Sequence, residues 1–187
     1  MEVSTLSRRN ALAALLALAV AAPAWSALPV GARAPAFTAP AFLAGKASSF
    51  SLAAALKRGP VVLYFFPAAH TSGCNLEAHL FAEAIDDFHS QGASVIGVTA
   101  GNVDQLAAFS RETEHCSGKF PVAADPGAKI AASYKATLII HPGWSDRTSY
   151  VIAPDGRVIF AYSDLAAQQH VANTLAAVKA WRAAHPG

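Results

Sequence analysis

Short apolar runs and helical periodicities alternate along the chain. The segments "VVLYFF" (61–66) and "ASVIGVTA" (93–100) are continuous apolar runs rich in β-branched and aromatic residues. Runs of this kind are typical of strands that are buried on both faces. The segment "FPVAAD" (120–125) predicts a short strand. The segment "RTSYVIAPDGRVIFAYS" (147–163) predicts two strands joined by a turn at Pro154-Asp155-Gly156.

Between these strands the apolar spacing changes to three and four residues. Such spacing from Cys74 to about His89 predicts an amphipathic helix that is closed by Gly92. Further helices are predicted over 102–115, with Asn102 as N-cap, over 126–134, with Pro126 in the first turn, and over 165–184. The order βαβαβ, a hairpin and a final helix predicts an α/β domain whose central mixed sheet is flanked by helices.

The segment before the first buried strand is less regular. Residues 27–48 are rich in Ala, Pro and Gly, and they predict an extended stretch with a short strand or hairpin around 37–42. Residues 49–59 predict one or two helical turns that are capped by Gly59.

Residues 1–26 have the pattern of a secretory signal. The Arg8-Arg9 pair precedes an apolar stretch from Ala11 to Ala22, and small residues follow. The stretch is short for a membrane span, so cleavage after Ser26 and export to the periplasm are expected, although an uncleaved anchor is the alternative. The "SRRNAL" segment also resembles a twin-arginine signal. The remaining residues, 27–187, form one domain of ordinary size.

Charge and cysteine content narrow the functional classes. The chain has 14 Lys and Arg against 12 Asp and Glu and contains no basic block, so nucleic acid is not an expected partner. No other apolar segment approaches the length of a membrane span. Cys74 and Cys116 are the only 2 cysteines and lie 42 positions apart, which argues against a C-x-x-C dithiol and against a zinc cluster of paired cysteines. An oxidising compartment favours a disulfide by default, so the count alone leaves the role of the thiols open.

Cys74 stands where its thiolate would be stabilised. It follows a buried strand that breaks at Pro67, and it opens the predicted helix, where free N–H groups and the dipole favour an anion. Gly73 permits a close approach to the backbone, and Thr71 can place a hydroxyl near the sulfur. Pro67 and Thr71 also have purely structural interpretations, as a strand end and as an N-cap. Two charged residues, Glu77 in the first turn of the same predicted helix and Arg147 at the head of a late strand, are on their own interpreted as a first-turn acid and a solvated loop cation.

Taken together, the segments resemble the peroxiredoxin family. The pattern Pro67-x-x-x-Thr71-x-x-Cys74 matches its active-site motif, and Glu77 makes the chain similar to the bacterioferritin-comigratory or Q-type branch. Arg147, at the head of a late strand, stands where that branch carries an active-site arginine. The segments "AAFSRE", "FPVAADPGAKIAASY" and "YVIAPDGRVIFAY" extend the resemblance over roughly residues 29–183.

This resemblance implies a thioredoxin-like fold and a thiol peroxidase that reduces hydrogen peroxide and organic hydroperoxides. Cys74 would be oxidised to a sulfenic acid, Thr71 would bind peroxide, and Arg147 would stabilise the developing charge. Pro67 would shield the sulfenic acid, and Glu77 would orient Arg147. A thiol reductant is implied as partner, with a monomer or homodimer as the assembly. Neither a metal nor an organic cofactor is required.

The sequence leaves two alternatives for the step that would complete the cycle. Many Q-type relatives carry a second cysteine five positions after the first, where this chain has His79. Cys116 is therefore the resolving candidate, through an intramolecular disulfide that requires local unwinding. The alternative is a one-cysteine enzyme in which Cys116 is structural.

Two hypotheses from other classes remain. A metal site could use His70, Cys74 and His79, although the sequence supplies no nearby fourth ligand; His115, His141 and His170 are interpreted as surface or core residues. A non-catalytic thioredoxin-fold thiol or metal-binding module is the other hypothesis. A copper chaperone of this fold would be expected to have a cysteine at Ala78, and an inactive relative would be expected to lack Thr71, Cys74 or Arg147.

The preference for a hydroperoxide is a separate hypothesis. If Phe66, Phe81 and Trp144 lie near Cys74, they would favour an organic hydroperoxide. The segment "HPGWSD" (141–146), which precedes Arg147, is expected to form a loop that either walls the substrate entrance or serves local packing.

Overall fold

The structure is a computed structural model that describes residues 27–186. The predicted signal, residues 1–26, lies outside the described residues, as does Gly187. The strands, in chain order, are β1 (Thr38–Leu43), β2 (Lys46–Ser51), β3 (Val61–Phe65), β4 (Ser94–Thr99), β5 (Val122–Ala124), β6 (Thr137–Leu138), β7 (His141–Ser145), β8 (Thr148–Ile152) and β9 (Val158–Ser163). The helices are α1 (Leu52–Leu56), α2 (Ser72–Glu83), α3 (Ile85–Ser90), α4 (Leu106–Arg111), α5 (Lys129–Ser133) and α6 (Gln168–Ala184).

Seven strands form the central mixed sheet, in the order β2-β1-β5-β4-β3-β8-β9. β4 pairs in parallel with β3 and β5, whereas β8 runs antiparallel to β3. The predicted hairpin of β8 and β9 is present, and the predicted N-terminal hairpin is the pair β1 and β2. The α/β architecture with a mixed sheet is therefore confirmed.

β3 lies between two hydrophobic layers, one on each face of the sheet. All five of its residues are buried. Val61, Leu63 and Phe65 pack into a layer with α1 and α5, while Val62 and Tyr64 pack into a layer with α2, α3, α4 and α6. Successive side chains of a strand point to opposite faces, so burial of both faces explains the uninterrupted apolar run.

Several helix boundaries differ from the prediction. The single helix expected over 74–89 is two helices that break at Ala84, whose ψ of 1° leaves the helical region. The helix expected over 102–115 is shorter: a 3₁₀ turn (Val103–Gln105) leads into α4, which ends at Arg111 because Glu112 is extended, with ψ 135°. The helix expected over 126–134 begins only at Lys129, so Pro126 lies in the preceding turn.

Two local predictions are wrong. Asn102 does not cap its helix: it has a left-handed backbone, and its side chain donates to the Ala69 carbonyl oxygen at 2.8 Å. The segment before Arg147 is not an open loop, because β7 pairs with β6 in a separate two-stranded sheet. Within residues 27–186, none of the helices has the length and apolar character needed to cross a membrane.

Candidate active site

The loop from β3 to α2 is held by the end of the neighbouring strand. The Thr99 hydroxyl donates to the Pro67 carbonyl oxygen at 3.0 Å, and Ala68 forms an isolated parallel bridge with Gly101. A β-carbon on Gly101 would lie 2.5 Å from the Pro67 carbonyl oxygen, so only glycine permits this approach. Pro67 thus lies in a loop whose backbone is fixed against β4.

Cys74 occupies the first turn of α2, as predicted. Thr71 is the residue at the N-cap, and the Asn75 N–H donates to the Thr71 carbonyl oxygen at 2.8 Å, which closes that turn. The N–H of Cys74, one residue earlier, has no helical acceptor. The Cys74 side chain is 1% exposed. A buried sulfur at the positive end of a helix dipole is well placed to carry a negative charge.

Arg147 supplies a cation to this sulfur. Its Nη2 lies 3.5 Å from Cys74 Sγ, its Nη1 donates to Glu77 Oε2, and its Nε donates to the Leu165 carbonyl oxygen at 2.8 Å. The residue is 4% exposed. A β-carbon on Gly73 would lie 3.0 Å from Nη2, so the absence of a side chain there lets the guanidinium lie against the first turn of α2. Three directed donors therefore fix the cation beside the thiol.

Glu77 is the buried acidic partner of Arg147. It is 0% exposed, and its Oε1 has no hydrogen-bond partner among the described residues. Burial raises the pKa of Glu77 to about 8, against the opposing effect of Arg147. An incompletely satisfied buried carboxyl prefers to hold a proton, since desolvation penalises its charged form. Glu77 nevertheless keeps Arg147 in place through Oε2.

Thr71 contacts the loop rather than the sulfur. Its hydroxyl donates to the Ala68 carbonyl oxygen at 3.0 Å, and it makes no side-chain capping bond to α2. Because the hydroxyl proton is used in this way, the oxygen lone pairs remain as acceptors for an O–H group. Thr71 therefore occupies the N-cap position of α2 but does not cap the helix with its side chain.

His170 belongs to the surroundings of this site, which the sequence did not indicate. It is fully buried on α6; its Nδ1 lies 2.8 Å from Ser149 Oγ and its Nε2 lies 2.9 Å from the Asp164 carbonyl oxygen. Nδ1 is also 3.6 Å from Glu77 Oε1. Burial lowers the pKa of His170, so the ring is neutral at pH 7. The only sequence signal was its place on the apolar face of the last helix.

Cys116 is fully buried in the turn after α4. It packs in the same hydrophobic cluster as Cys74, together with Tyr64 and Phe109, and the two thiols are not bonded to each other. Burial raises the pKa of the Cys116 thiol far above its ordinary value, with a further contribution from Glu112. The position lies beyond the helix rather than on it, because the chain leaves α4 at Glu112.

The metal site considered from the sequence is not assembled. Within residues 27–186, Cys74 belongs to no group of three metal-ligating side chains. His79 lies 3.5 Å from Glu83 on the outer face of α2. His70 points instead to Glu112 and His115, and these three form a separate cluster.

Two of the aromatic side chains expected near Cys74 pack in its hydrophobic cluster but are not exposed to a substrate. Phe66 and Phe81 are fully buried and stack on Tyr64, with ring centroids 5.4 and 4.4 Å apart. Trp144 lies on β7 against His141, at 4.8 Å. Phe66 and Phe81 therefore stabilise the packing behind Cys74 and do not form the surface of an entrance.

Comparison with known proteins identifies the family. A sequence profile described as the AhpC/TSA family matches residues 30–161. The chain belongs to this family. A protein of Mycobacterium tuberculosis described as a peroxiredoxin is 30% identical over 148 residues, which cover 76% of this chain and 89% of that protein. The chloroplastic peroxiredoxin Q of Sedum lineare is 28% identical over 120 residues, or 64% of this chain and 63% of that protein.

Solved structures of this family agree with the fold. The peroxidoxin BcpB from Mycobacterium tuberculosis superposes with a TM-score of 0.70 and 27% identity, covering 81% of this chain and 96% of that one. A reduced 2-Cys peroxiredoxin from Plasmodium vivax has a TM-score of 0.74 at 21% identity, covering 84% and 99%. The protein is thus a thiol peroxidase of the peroxiredoxin family with a thioredoxin-like fold, as the sequence resemblance implied.

Proposed function

We propose that Cys74 is the cysteine that reduces hydrogen peroxide and organic hydroperoxides. The observation that carries this proposal is the contact of 3.5 Å between Cys74 Sγ and Arg147 Nη2 at the N-terminus of α2. The Cys74 thiolate attacks one peroxide oxygen, an S–O bond forms and the O–O bond breaks. The leaving oxygen takes up a proton and departs as water or an alcohol, which leaves a sulfenic acid. All the electrons come from the thiol, so the step requires neither a metal nor an organic cofactor.

The surrounding residues have complementary roles in this proposal. The N–H of Cys74 and the guanidinium of Arg147 point donors at the oxygen on which charge develops, and fixed donors of this kind lower the barrier. The Thr71 hydroxyl, which already donates to Ala68, accepts the peroxide O–H. Glu77 holds the Arg147 guanidinium in place beside Cys74. Pro67, whose backbone is fixed against β4, limits access of water to the sulfenic acid.

Cys116 completes the cycle in the proposed two-cysteine mechanism. Its thiol attacks the Cys74 sulfenic acid, an S–S bond forms, and water leaves. A thioredoxin-like protein or a small thiol then reduces the disulfide. Both cysteines already pack in one cluster, which supports this pairing. The turn that carries Cys116 must nevertheless rearrange, because disulfide geometry is narrow.

A one-cysteine cycle is the second candidate, and the burial of Cys116 favours it. The Cys116 side chain is 0% exposed and its thiol pKa is raised, so little thiolate is present to attack a sulfenic acid in the folded state. In this cycle an external thiol reduces Cys74 directly.

The protein is proposed to act in the periplasm, as a monomer or homodimer. Its support is the signal pattern of residues 1–26, and proteolytic removal of that segment would be visible as a new N-terminus in exported protein. Light scattering of the purified protein measures the assembly.

A peroxide-consumption assay tests the proposed function. Reduced protein is mixed with hydrogen peroxide or cumene hydroperoxide and a thiol reductant, and consumption is followed for the unsubstituted protein, Cys74→Ser and Cys116→Ser. The proposal expects Cys74→Ser to abolish consumption. Full loss in Cys116→Ser with thioredoxin but not with a small thiol would assign resolution to Cys116. Unchanged consumption in Cys74→Ser would refute the proposal.

A further inference from the structure

Three side chains that have no role in the proposed peroxidase mechanism form a compact cluster. They are His70, Glu112 and His115, and each offers one ligand atom within 4.8 Å of the other two. His70 Nε2 and His115 Nδ1 both lie 2.9 Å from the same oxygen, Glu112 Oε2. Two imidazole nitrogens therefore converge on one carboxylate oxygen.

The orientation of His70 is fixed from its other side. Its Nδ1 lies 2.6 Å from Gln105 Oε1, and an amide oxygen can only accept a hydrogen bond. Nδ1 therefore carries a proton, and Nε2 is the nitrogen that faces the cluster. A histidine that ligates a metal characteristically donates its second N–H to an oxygen of the protein in this way. Gln105 is thus placed as an outer partner of a ligating histidine.

Aromatic packing holds the two rings. Phe109 stacks on His115 with centroids 4.8 Å apart and meets His70 edge-on at 5.4 Å. The His115 side chain is only 11% exposed, whereas the side chains of His70 and Glu112 are 28% and 36% exposed. The ligands are consequently preorganised on the protein side and accessible to an ion from the solvent side.

We propose that His70, Glu112 and His115 form a binding site for a divalent transition-metal ion such as Zn²⁺. Two imidazole nitrogens and a carboxylate oxygen are ligands that Zn²⁺ accepts in proteins, with solvent in a fourth position. Bond lengths of about 2.0–2.2 Å in a tetrahedron place neighbouring ligand atoms roughly 3.4 Å apart, so the 2.9 Å separations need to open by only a few tenths of an ångström. The ion replaces protons shared between the rings and the carboxylate.

The position of this site couples it to the two cysteines. His70 lies four residues before Cys74, and His115 is the immediate neighbour of Cys116. A bound ion would join the loop before α2 to the turn after α4. It would therefore oppose the rearrangement that a Cys74–Cys116 disulfide requires, and would slow its formation. This consequence rests on the proposed function, whereas the metal site does not.

A titration of reduced protein tests the site itself. Zn²⁺ binding is measured by calorimetry, and Co²⁺ binding by its visible absorption, for the unsubstituted full chain, His70→Ala, Glu112→Gln and Cys74→Ser/Cys116→Ser. Glu112→Gln is a nearly isosteric replacement of a partly exposed side chain, so it guards against misfolding of the histidine variant. His79→Ala is the matched control, because His79 is a partly exposed histidine that also lies beside a carboxylate, Glu83, and is not one of the three proposed ligands.

One equivalent of ion is expected to bind the unsubstituted chain, His79→Ala and the cysteine variant. His70→Ala and Glu112→Gln are expected to weaken binding by about 100-fold or more, since loss of even an outer partner costs about 10- to 100-fold. Absence of saturable binding would overturn the proposal and leave a hydrogen-bonded cluster. Binding that persists in both cluster variants, or that is lost only in the cysteine variant, would overturn it as well.

Disulfide formation provides the separate test of the coupling. After one equivalent of hydrogen peroxide, Zn²⁺ is expected to slow formation of the Cys74–Cys116 bond in the unsubstituted chain but not in Glu112→Gln. Equal rates with and without bound Zn²⁺ would refute the coupling and leave the site. No disulfide under either condition would refute both the coupling and resolution by Cys116, while the titration still decides the site.

Discussion

Replacement of Arg147 by methionine removes the cation that contacts the Cys74 sulfur. The guanidinium donates to Leu165, Glu77 and the sulfur, and it is nearly inaccessible to solvent. Methionine fills a similar volume without charge. The Glu77 carboxyl that loses its partner can hold a proton, since its pKa is already raised to about 8. The fold is therefore expected to survive while the reaction slows.

The size of the effect follows from two contributions. A hydrogen bond to a charged group contributes about 1.5–3 kcal/mol, so loss of the contact at 3.5 Å is expected to weaken the stabilisation of negative charge at the Cys74 sulfur and to slow its attack on peroxide by roughly 10- to 100-fold. Removal of a donor aimed at the developing charge usually costs about 10²- to 10³-fold, and because the contact to sulfur is long we expect a smaller loss of about another 10- to 100-fold. The second-order rate constant with hydrogen peroxide should thus fall by about 10²- to 10⁴-fold at pH 7.

Stopped-flow oxidation of reduced protein by hydrogen peroxide at pH 7 measures the combined loss. Arg147→Lys, which keeps the charge but cannot contact Glu77 and Cys74 together through a planar fork, is expected to be intermediate. Arg182→Met, an exposed arginine on α6, is the matched control. A folded Arg147→Met protein within threefold of the unsubstituted rate at pH 7 would refute the reasoning.

Three further predictions concern neighbouring residues. Gly73→Ala should slow peroxide oxidation about tenfold without loss of stability, because the new β-carbon lies 3.0 Å from Arg147 Nη2 while alanine favours the helix. Gly143→Ala is the control, since a β-carbon there meets open space. Equal oxidation rates for the two variants would contradict this prediction. The pKa of Glu77 is raised from 4.5 to about 8 in the folded state, so its contribution to stability is complete below pH 4.5 and is lost as pH rises towards 8. Urea unfolding should therefore show the unsubstituted protein losing about 2–5 kcal/mol relative to Glu77→Gln across that interval; parallel pH profiles would refute the raised pKa. Iodoacetamide at neutral pH should modify Cys74 well before Cys116, because burial raises the pKa of the Cys116 thiol. Both thiols should react quickly in urea. Peptide mass mapping that finds Cys116 modified first in the native state would contradict the raised pKa of the Cys116 thiol.

The central elements of the fold could be predicted because their sequence patterns arise from burial. β3 and β4 are covered on both faces, so every position is apolar, and the hairpin of β8 and β9 contains its turn residues. The end of α4 could not be predicted, because the chain leaves the helix where Glu112 meets His70, a contact between residues 42 positions apart. Asn102 has the residue type of an N-cap, yet its side chain binds the Ala69 carbonyl oxygen of a distant loop.

In the candidate site, too, some residues could be predicted from the sequence and others could not. The spacing of Pro67, Thr71 and Cys74 on a strand-to-helix turn was visible in the sequence, and the family resemblance added Glu77 and Arg147. The contact of Gly73 with the guanidinium, and the burial of His170 between Ser149 and Asp164, depend on the approach of α2, β8 and α6. Tertiary packing alone determines such neighbours, so local patterns contain no signal for them.

The intact mass of the reduced protein after one equivalent of hydrogen peroxide tests the central claim most directly, with Cys74→Ser and Cys116→Ser measured beside it. We predict oxidation that requires Cys74. A loss of two hydrogens that also requires Cys116 would indicate the intramolecular disulfide. A gain of one oxygen at Cys74 would indicate the one-cysteine cycle. A folded, fully reduced sample that shows neither change, or that is oxidised equally well in Cys74→Ser, would contradict the assignment of Cys74 as the peroxide-reducing residue.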